Sequence, residues 1–173
     1  MTERLPVLFS EAEIATRVDE LAREIAAHRP QIVIAILIGG FVFASDLVRA
    51  LARIEVNVEA EFLWLRSYGH GRTGGAVSLL AGPSENVKGK RVVLVDGVLD
   101  VGRTIEKAQR LLEAAGAAEV ITAVLVDKAR TDAIASADYS GFKGVRDFIV
   151  GYGMDEAGKF RGLPYIARAT GAD

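Results

Sequence analysis

The chain has 173 residues, half of them apolar, a formal net charge of −2 and no cysteine. This length suits a single domain around one core. The absence of cysteine excludes disulfides and thiol catalysis, and two histidines alone cannot make a structural zinc site. A metal would therefore be a hard cation such as magnesium, held by carboxylates and by oxygens of the substrate.

Neither a secretory signal nor a membrane span is predicted. The N-terminal stretch MTERLPVLFS is charged and lacks a long apolar segment. The longest apolar run, residues 32–44, has 13 residues with a Gly-Gly pair inside and is too short to cross a bilayer. No long Lys/Arg run favours a nucleic-acid partner. We expect a cytoplasmic protein with small-molecule partners.

The first third of the chain predicts a helix, a buried strand and a second helix. Ser10 and Glu13 form a capping box, and apolar residues recur behind them at helical spacing, which predicts a helix over 11–28. Residues 32–38 are an apolar, β-branched run, as in a strand covered on both faces. A Gly-Gly pair ends this strand before the helical period resumes.

A hairpin with a long tip is predicted next. An extended segment over 56–66 and the stretch AVSLL flank the glycine-rich sequence SYGHGRTGG. Its glycines spell GxGxxG, but that dinucleotide fingerprint opens a helix, whereas a β-rich segment follows here. Glycine content does not decide whether the tip is an idle loop or an active-site lid.

The rest of the chain predicts a parallel sheet. KGKRVVLVD reads as a second buried strand, GRTIEKAQRLLEAAG as a helix and EVITAVLVDK as a third strand. Strands that alternate with helices imply parallel pairing through right-handed crossovers. From residue 128 onward the pattern is irregular.

The turn after residues 92–95 carries the clearest sign of a binding site. Parallel sheets bind ligands beyond the carboxyl ends of their strands. The stretch DVGRT places backbone N–H groups and the Thr104 hydroxyl at a helix N-terminus, which suits a phosphate monoester. Gly102 would allow close approach of the phosphate, and Arg103 would add positive charge.

Two carboxylates border this turn. Asp96 and Asp100 suit ribose hydroxyls, a metal or proton transfer. The alternative is structural: Asp100 and Thr104 cap the helix, and Asp96 ends the strand. The pattern alone favours neither interpretation.

Two more stretches could contribute to a binding site. ILIGGF also joins a buried strand to a helix, and two anion sites at one sheet edge would suit a substrate with two phosphate groups. Taken alone, however, it predicts a plain turn.

Near the C-terminus, RDFIVGYGMDEAGKFRGLPYIA concentrates aromatic residues, glycines and charges. Taken alone, it predicts that Phe148 and Tyr152 are core and that Asp155 lies in a turn.

Together these stretches resemble the purine-salvage phosphoribosyltransferases of the hypoxanthine-guanine type. The matching segments are VLFSEAEI, ILIGGFVFASDLVRAL, RSYGHGRTGG, KGKRVVLVDGVLDVGRTI, AVLVDKAR, ADYSGF and FIVGYGMDEAGKFRGLPYIA. The last is the most specific, because phosphoribosyltransferases for other bases share the central motif but not this tail.

The resemblance implies the type I phosphoribosyltransferase fold in one domain, residues 1–173. That fold is α/β, with a mostly parallel central sheet flanked by helices and a flexible β-hairpin lid. The core would cover roughly 28–127, and a small hood would come from the N-terminus and 128–173.

The family joins a 6-oxopurine to 5-phosphoribosyl 1-diphosphate (PRPP) and releases diphosphate. By resemblance, Val101 to Thr104, which include Gly102 and Arg103, cradle the 5′-phosphate. Asp96 matches the acidic position that holds the ribose hydroxyls and helps to bind the metal. Asp100 matches the general base that receives the purine N7 proton.

The resemblance also assigns the purine site and the lid. Lys128 corresponds to the lysine that reads the 6-oxo group, and Phe148 to the aromatic residue that stacks on the base. Ile149 stands where a backbone group meets the purine edge. Ser67 and Tyr68 begin the flexible lid.

The remaining matches concern diphosphate and metal. Ile38 and Gly39 match the diphosphate turn, and Arg161 matches a diphosphate-binding arginine. Asp155 matches a carboxylate that helps to bind Mg²⁺ and diphosphate.

Three positions depart from the family pattern. Gly97 replaces the second of two adjacent carboxylates, Val101 replaces a threonine and Ile38 replaces a lysine. Each lost charge-assisted hydrogen bond would cost roughly 1.5–3 kcal/mol. Gly97 is the most serious departure, because it removes one grip on the ribose and its metal.

We therefore expect a magnesium-dependent hypoxanthine or guanine phosphoribosyltransferase that forms a homodimer or homotetramer. Two alternatives stay open. The chain could be a nucleotide-binding regulator with weak or no catalysis, or it could use xanthine or another base.

Overall fold

The structure is a computed structural model that describes residues 5–67 and 77–169. Its helices are α1 (Glu11–Ala26), α2 (Phe41–Arg53) and α3 (Arg103–Ala114), and Glu85–Val87 form a short 3₁₀ turn. Its strands are β1 (Val7–Phe9), β2 (Ile32–Leu37), β3 (Glu59–Ser67), β4 (Val77–Ala81), β5 (Arg91–Leu99), β6 (Glu119–Asp127), β7 (Tyr139–Lys143), β8 (Ile149–Val150) and β9 (Ile166–Arg168).

Six strands form the central sheet, in the order β4-β3-β2-β5-β6-β7. Every neighbouring pair is parallel except β3 and β4, which form an antiparallel hairpin. Ala35 of β2 pairs with Val95 of β5, and Val95 pairs with Ala123 of β6. The carboxyl ends of these strands therefore meet at one edge, and the predicted mostly parallel α/β fold is confirmed.

Both faces of the sheet are covered, which explains the apolar strands. Val33 and Ala35 pack with α1 and α2, whereas Ile32 and Ile34 face the side on which α3 lies. A strand buried on both sides cannot alternate apolar and polar residues. The predicted capping box at the start of α1 is also present, because the Ser10 and Glu13 side chains each accept a hydrogen bond from the other residue's backbone N–H.

Two strands differ from the prediction. β5 continues beyond Asp96 to Leu99, so Asp96 lies within the strand and does not end it. β7 lies within 128–173, the segment expected to form the hood, and it joins the central sheet instead. Gly141 lowers the strand propensity of β7, so the sequence did not predict this strand. The structure explains the glycine, because a Cβ at this position would lie 2.6 Å from the Leu125 carbonyl oxygen of β6.

A second, three-stranded sheet has the order β1-β9-β8 and is antiparallel throughout. It joins the N-terminal strand to the two C-terminal strands, which lie in the segments assigned to the hood by resemblance. Of the predicted lid, Ser67 is the last residue of β3, whereas Tyr68 lies outside the described residues. Within 5–67 and 77–169, no helix has the length and apolar character that crossing a membrane requires.

Candidate functional site

The loop after β5 leads directly into α3. Gly102 occupies the N-cap position with φ of 92°, and a Cβ there would lie 2.9 Å from the Ala135 Cβ. Glycine is favoured on both counts. The N-cap residue is therefore neither Asp100 nor Thr104, so the interpretation of these two as simple helix caps was wrong. Val101 lies in the same loop, and its carbonyl accepts the Ile134 N–H at 2.8 Å.

Asp100 and Lys128 meet at the carboxyl ends of β5 and β6. The Lys128 N–H donates to the Leu99 carbonyl at 3.0 Å, which holds the start of the two loops together. The Lys128 Nζ lies 3.5 Å from Asp100 Oδ2. The lysine side chain is only 14% exposed, whereas that of Asp100 is 45% exposed. An accessible carboxylate thus stands beside a largely buried ammonium group.

Arg130 is a member of this cluster that the sequence did not predict. Its Nη1 lies 3.1 Å from Asp100 Oδ1, and its Nε and Nη2 both donate to Asp132 at 2.8 Å. The hydrogen bonds from Arg130 lower the pKa of Asp132. Positive and negative side chains therefore alternate in the order Lys128, Asp100, Arg130 and Asp132. The spacing KAR offered only a weak signal, because which carboxylate an arginine reaches depends on how the loops pack.

The turn between β2 and α2 lies beside Asp96. The Leu37–Ile38 peptide bond is cis, and the Ile38 side chain is exposed. A Cβ on Gly39 would lie 3.5 Å from Asp96 Oδ1, which is ordinary contact. A Cβ on Gly40 would lie 2.7 Å from the Val95 carbonyl oxygen. The stretch ILIGGF, which alone predicted a plain turn, therefore packs against β5 at the site.

The Asp96 carboxyl group is partly buried. Burial raises its pKa to about 7, and the hydrogen bond that it accepts from the Gly97 N–H at 2.7 Å opposes this rise. A nearby cation would stabilise the ionised form. Such a carboxylate fits a divalent metal that takes its other ligands from a substrate.

Gly97 has no room for a side chain. A Cβ at this position would lie 2.7 Å from the Gly39 carbonyl oxygen and 3.4 Å from Met154 Cγ. A Cβ on Gly153, where φ is 96°, would lie 2.6 Å from the same carbonyl oxygen. The Gly39 carbonyl is therefore seated against the Cα atoms of two glycines. The turn occupies the space that a carboxylate at position 97 would need.

Asp155 and Arg161 form an ion pair. Arg161 Nη2 lies 2.7 Å from Asp155 Oδ1, and Nη1 donates to the Gly153 carbonyl at 2.7 Å. The other Asp155 oxygen accepts the Gly158 N–H at 2.7 Å. Because Gly153 touches the turn at Gly39, the pair is tied to that turn. The bond from the Gly158 N–H, three positions later, is typical of a turn, and the sequence predicted that Asp155 lies in one.

Three aromatic and apolar residues of the C-terminal tail differ in exposure. Phe148 is 48% exposed, so the prediction that it is core was wrong, and its ring is open to a ligand. Ile149 is buried in β8, and Tyr152 is buried as predicted. The Tyr152 hydroxyl donates to the Asp46 carboxylate of α2. Burial above all, and then Asp46, raise the pKa of Tyr152, which keeps the hydroxyl protonated.

The predicted residues thus fall into two neighbouring groups at one sheet edge. One contains Asp100 and Lys128, and the other contains Asp96, Asp155 and Arg161 around the turn at Gly39. Among the residues described, no cluster of three or more acidic or histidine side chains could hold a metal. A cation there would need oxygen ligands from the substrate, as the composition implied.

Comparisons with known sequences agree with one another. A family profile described as phosphoribosyl transferase domain matches residues 8–157. Hypoxanthine phosphoribosyltransferase of Escherichia coli is 32% identical over 175 residues, which cover 97% of each chain. The bifunctional protein TilS/HprT of Listeria innocua is 35% identical over 165 residues. That alignment covers 92% of this chain and 25% of the Listeria protein, so the chain spans a quarter of its length.

A solved structure is similar over nearly the whole chain. Hypoxanthine phosphoribosyltransferase of Trypanosoma cruzi, in complex with the product IMP, superposes with a TM-score of 0.88 and 30% identity. The match covers 98% of this chain and 97% of that one. Both the central sheet and the C-terminal tail are therefore shared.

Proposed function

Because the chain belongs to the phosphoribosyltransferase family, we propose that it is a purine-salvage enzyme. It transfers the 5-phosphoribosyl group of PRPP to hypoxanthine or guanine and gives IMP or GMP and diphosphate. The names of the Escherichia coli and Trypanosoma cruzi relatives support hypoxanthine as a substrate. The observation that carries the proposal is the pair formed by Asp100 and Lys128.

This pair matches one edge of a 6-oxopurine. O6 and N7 are neighbours on that edge of the base. Lys128 Nζ is a donor suited to O6, and Asp100 Oδ2, 3.5 Å away, is an acceptor suited to an N7–H group. One base can therefore engage both side chains at once. Phe148, with its exposed ring, stacks on the base, and the Ile149 backbone meets the purine edge.

Proton transfer follows from the same geometry. As N9 of the purine bonds to the ribose anomeric carbon, the bond to diphosphate breaks and the base becomes positively charged. Asp100 takes the N7 proton and removes this charge, which is general-base catalysis. The Lys128 ammonium group donates a hydrogen bond to O6 and keeps the base oriented.

The sugar phosphate binds at the adjacent loop. The backbone from Val101 to Thr104 and the Arg103 side chain cradle the 5′-phosphate at the start of α3. Asp96 accepts hydrogen bonds from the ribose hydroxyls. Val101 lacks the hydroxyl of the family threonine but keeps its backbone N–H.

Phosphoribosyltransferases generally use a divalent metal, and Mg²⁺ is proposed for this chain. Asp96 and Asp155 would hold it together with oxygens of PRPP, in keeping with the preference of Mg²⁺ for few protein carboxylates. When bound, the metal neutralises charge on the departing diphosphate. Arg161 and the backbone at Ile38 and Gly39 bind the same leaving group, and a lid beginning at Ser67 and Tyr68 excludes water.

A homodimer or homotetramer is also proposed. Phe62 and Trp64 lie on one face of β3, and their side chains are exposed, as is that of Leu80 on β4. Trp64 pairs with Leu37, the last residue of β2. Ile38 and Phe41 come shortly after Leu37, and their side chains are exposed as well. Exposed large apolar side chains on neighbouring elements favour a protein interface.

The experiment that tests the function compares bases and one variant. Adenine carries an amino donor at position 6 and would face the Lys128 ammonium without an acceptor, so hypoxanthine should be used and adenine should not. Lys128→Met should raise KM for hypoxanthine at least about tenfold and leave KM for PRPP within about twofold. Equal use of adenine, or an equal rise in both KM values, would contradict the assignment.

A further inference from the structure

One partly buried hydrogen bond near the site has no role in the proposed chemistry. The Tyr152 hydroxyl, in the loop after β8, donates to the carboxylate of Asp46, which lies in the second turn of α2. Tyr152 is only 5% exposed. Asp46 also pairs with the exposed Arg49 one turn further along the helix. The bond therefore joins the C-terminal tail to the helix that begins directly after the turn at Gly39.

The backbone around Tyr152 is unusual. Gly151, Tyr152 and Gly153 have φ of 96°, 50° and 96°, so three successive residues adopt positive values. A tyrosine rarely adopts this conformation and keeps it only where its surroundings hold it. Two backbone bonds contribute, from the Tyr152 N–H to the Leu163 carbonyl at 2.8 Å and from the Gly153 N–H to the Arg161 carbonyl at 2.9 Å.

This loop touches the turn that is proposed to bind diphosphate. Gly153 follows Tyr152, and a Cβ on it would lie 2.6 Å from the Gly39 carbonyl oxygen and 3.4 Å from Val42 Cγ2. Such close contact leaves little freedom for either backbone. A shift of Tyr152 would therefore move Gly153 against or away from the turn.

The same loop orients the charged groups. The Gly153 carbonyl accepts a hydrogen bond from Arg161 Nη1 at 2.7 Å, and Arg161 Nη2 pairs with Asp155 at 2.7 Å. A chain of contacts thus runs from Asp46 through Tyr152 and Gly153 to the arginine and its carboxylate partner. Its other branch reaches Gly39.

We propose that Tyr152 and Asp46 are positioning residues that set the distance between the diphosphate turn and the Asp155–Arg161 pair. The proposed chemistry assigns neither of them a substrate contact, and the inference rests on the proposed function for its kinetic consequence. The purine site at Asp100 and Lys128 does not share these contacts. The pair should therefore govern affinity for PRPP and not for the base.

Substitutions can separate this role from general stability. Tyr152→Phe removes only the hydroxyl, and Asp46→Ala removes the acceptor. Each should raise KM for PRPP roughly threefold to tenfold, the range for one hydrogen bond, and leave KM for hypoxanthine within about twofold. Asp46→Asn keeps an acceptor oxygen and should restore KM for PRPP. Arg49→Ala is the matched control, because it removes the exposed ion pair of Asp46 and keeps the Tyr152 bond.

Hydrogen exchange gives a readout that does not depend on turnover. Tyr152→Phe should accelerate exchange of the Tyr152 and Gly153 amides while the amides of α3 keep their protection. An inactive wild-type protein would refute the proposed function, and the exchange result would still decide the positioning role. An unchanged KM for PRPP in an active Tyr152→Phe variant would overturn the inference. The inference would also be overturned if amide hydrogen exchange stayed unchanged at residues 152 and 153, or if it accelerated equally there and in α3.

Discussion

Gly97 stands where the family pattern has a second carboxylate, and its neighbours give a steric reason for the glycine. The Gly39 carbonyl oxygen would lie 2.7 Å from a Cβ at this position. Because the obstacle is backbone, no side-chain rotation can relieve the clash. The close seating of the turn and the glycine at position 97 are therefore linked, since a side chain there would displace the turn.

Substitution at position 97 should consequently weaken the enzyme. Gly97→Ala and Gly97→Asp both push the turn outward, so KM for PRPP should rise at least about tenfold in each, with KM for hypoxanthine little changed. Alanine controls for volume without charge. If Gly97→Asp gave a higher kcat/KM than both wild type and Gly97→Ala, the missing carboxylate would be what limits this protein.

Sequence reasoning at the residue scale found the polar groups but not their partners. Asp100 and Lys128 were assigned by resemblance, and the structure brings them within 3.5 Å. Arg130 was missed, because its contact with Asp100 joins two loops that are distant in sequence. The steric role of Gly97 was missed for the same reason: its neighbour belongs to the turn after β2.

At the scale of elements, the turn from β2 to α2 contains two adjacent glycines with different constraints. A Cβ on Gly40 would meet three backbone atoms, at 2.7 Å from Val95 O, 2.9 Å from Ile36 O and 3.0 Å from Asp96 Cα. Among the described residues, a Cβ on Gly39 would meet only Asp96 Oδ1, at 3.5 Å. The second glycine is therefore required for packing of the turn against β5, and the first is not.

This difference predicts unequal effects of alanine. Gly40→Ala should lower the free energy of unfolding by about 1–3 kcal/mol, because the backbone must move to admit the methyl group. Gly39→Ala, the matched control, should change it by less than about 0.5 kcal/mol. Thermal and denaturant unfolding of the two variants would measure this, and equal losses would contradict the described packing.

Most elements were predictable because their signals are local. The apolar run of β2 and the capping box of α1 each indicate one structure over a few residues. Strand β7 was not predictable, because Gly141 lowers its strand propensity. The need for a glycine at this position becomes clear only from the close approach of β6. The extension of β5 through Asp96 to Leu99 was also missed, since the glycine at 97 suggested a turn.

At the scale of the whole molecule, the site depends on four separate parts of the chain meeting at one sheet edge. The parallel register of β2, β5 and β6 brings together the turn at Gly39, the loop proposed to bind the 5′-phosphate, and Lys128. The C-terminal tail then adds Asp155 and Arg161 against the turn. A regulator without catalysis was considered because of Gly97. The packing of the Gly39 turn gives that glycine a steric role that does not require loss of catalysis.

The central claim is that the chain forms nucleotides from PRPP and a 6-oxopurine. The direct measurement is product formation by the purified protein with Mg²⁺, PRPP and hypoxanthine, guanine or xanthine in turn, with Asp100→Asn as the control for the general base. We predict IMP from hypoxanthine or GMP from guanine, and a kcat lower by about 10²–10⁴ in the variant. The absence of a nucleotide product with all three bases would contradict the account.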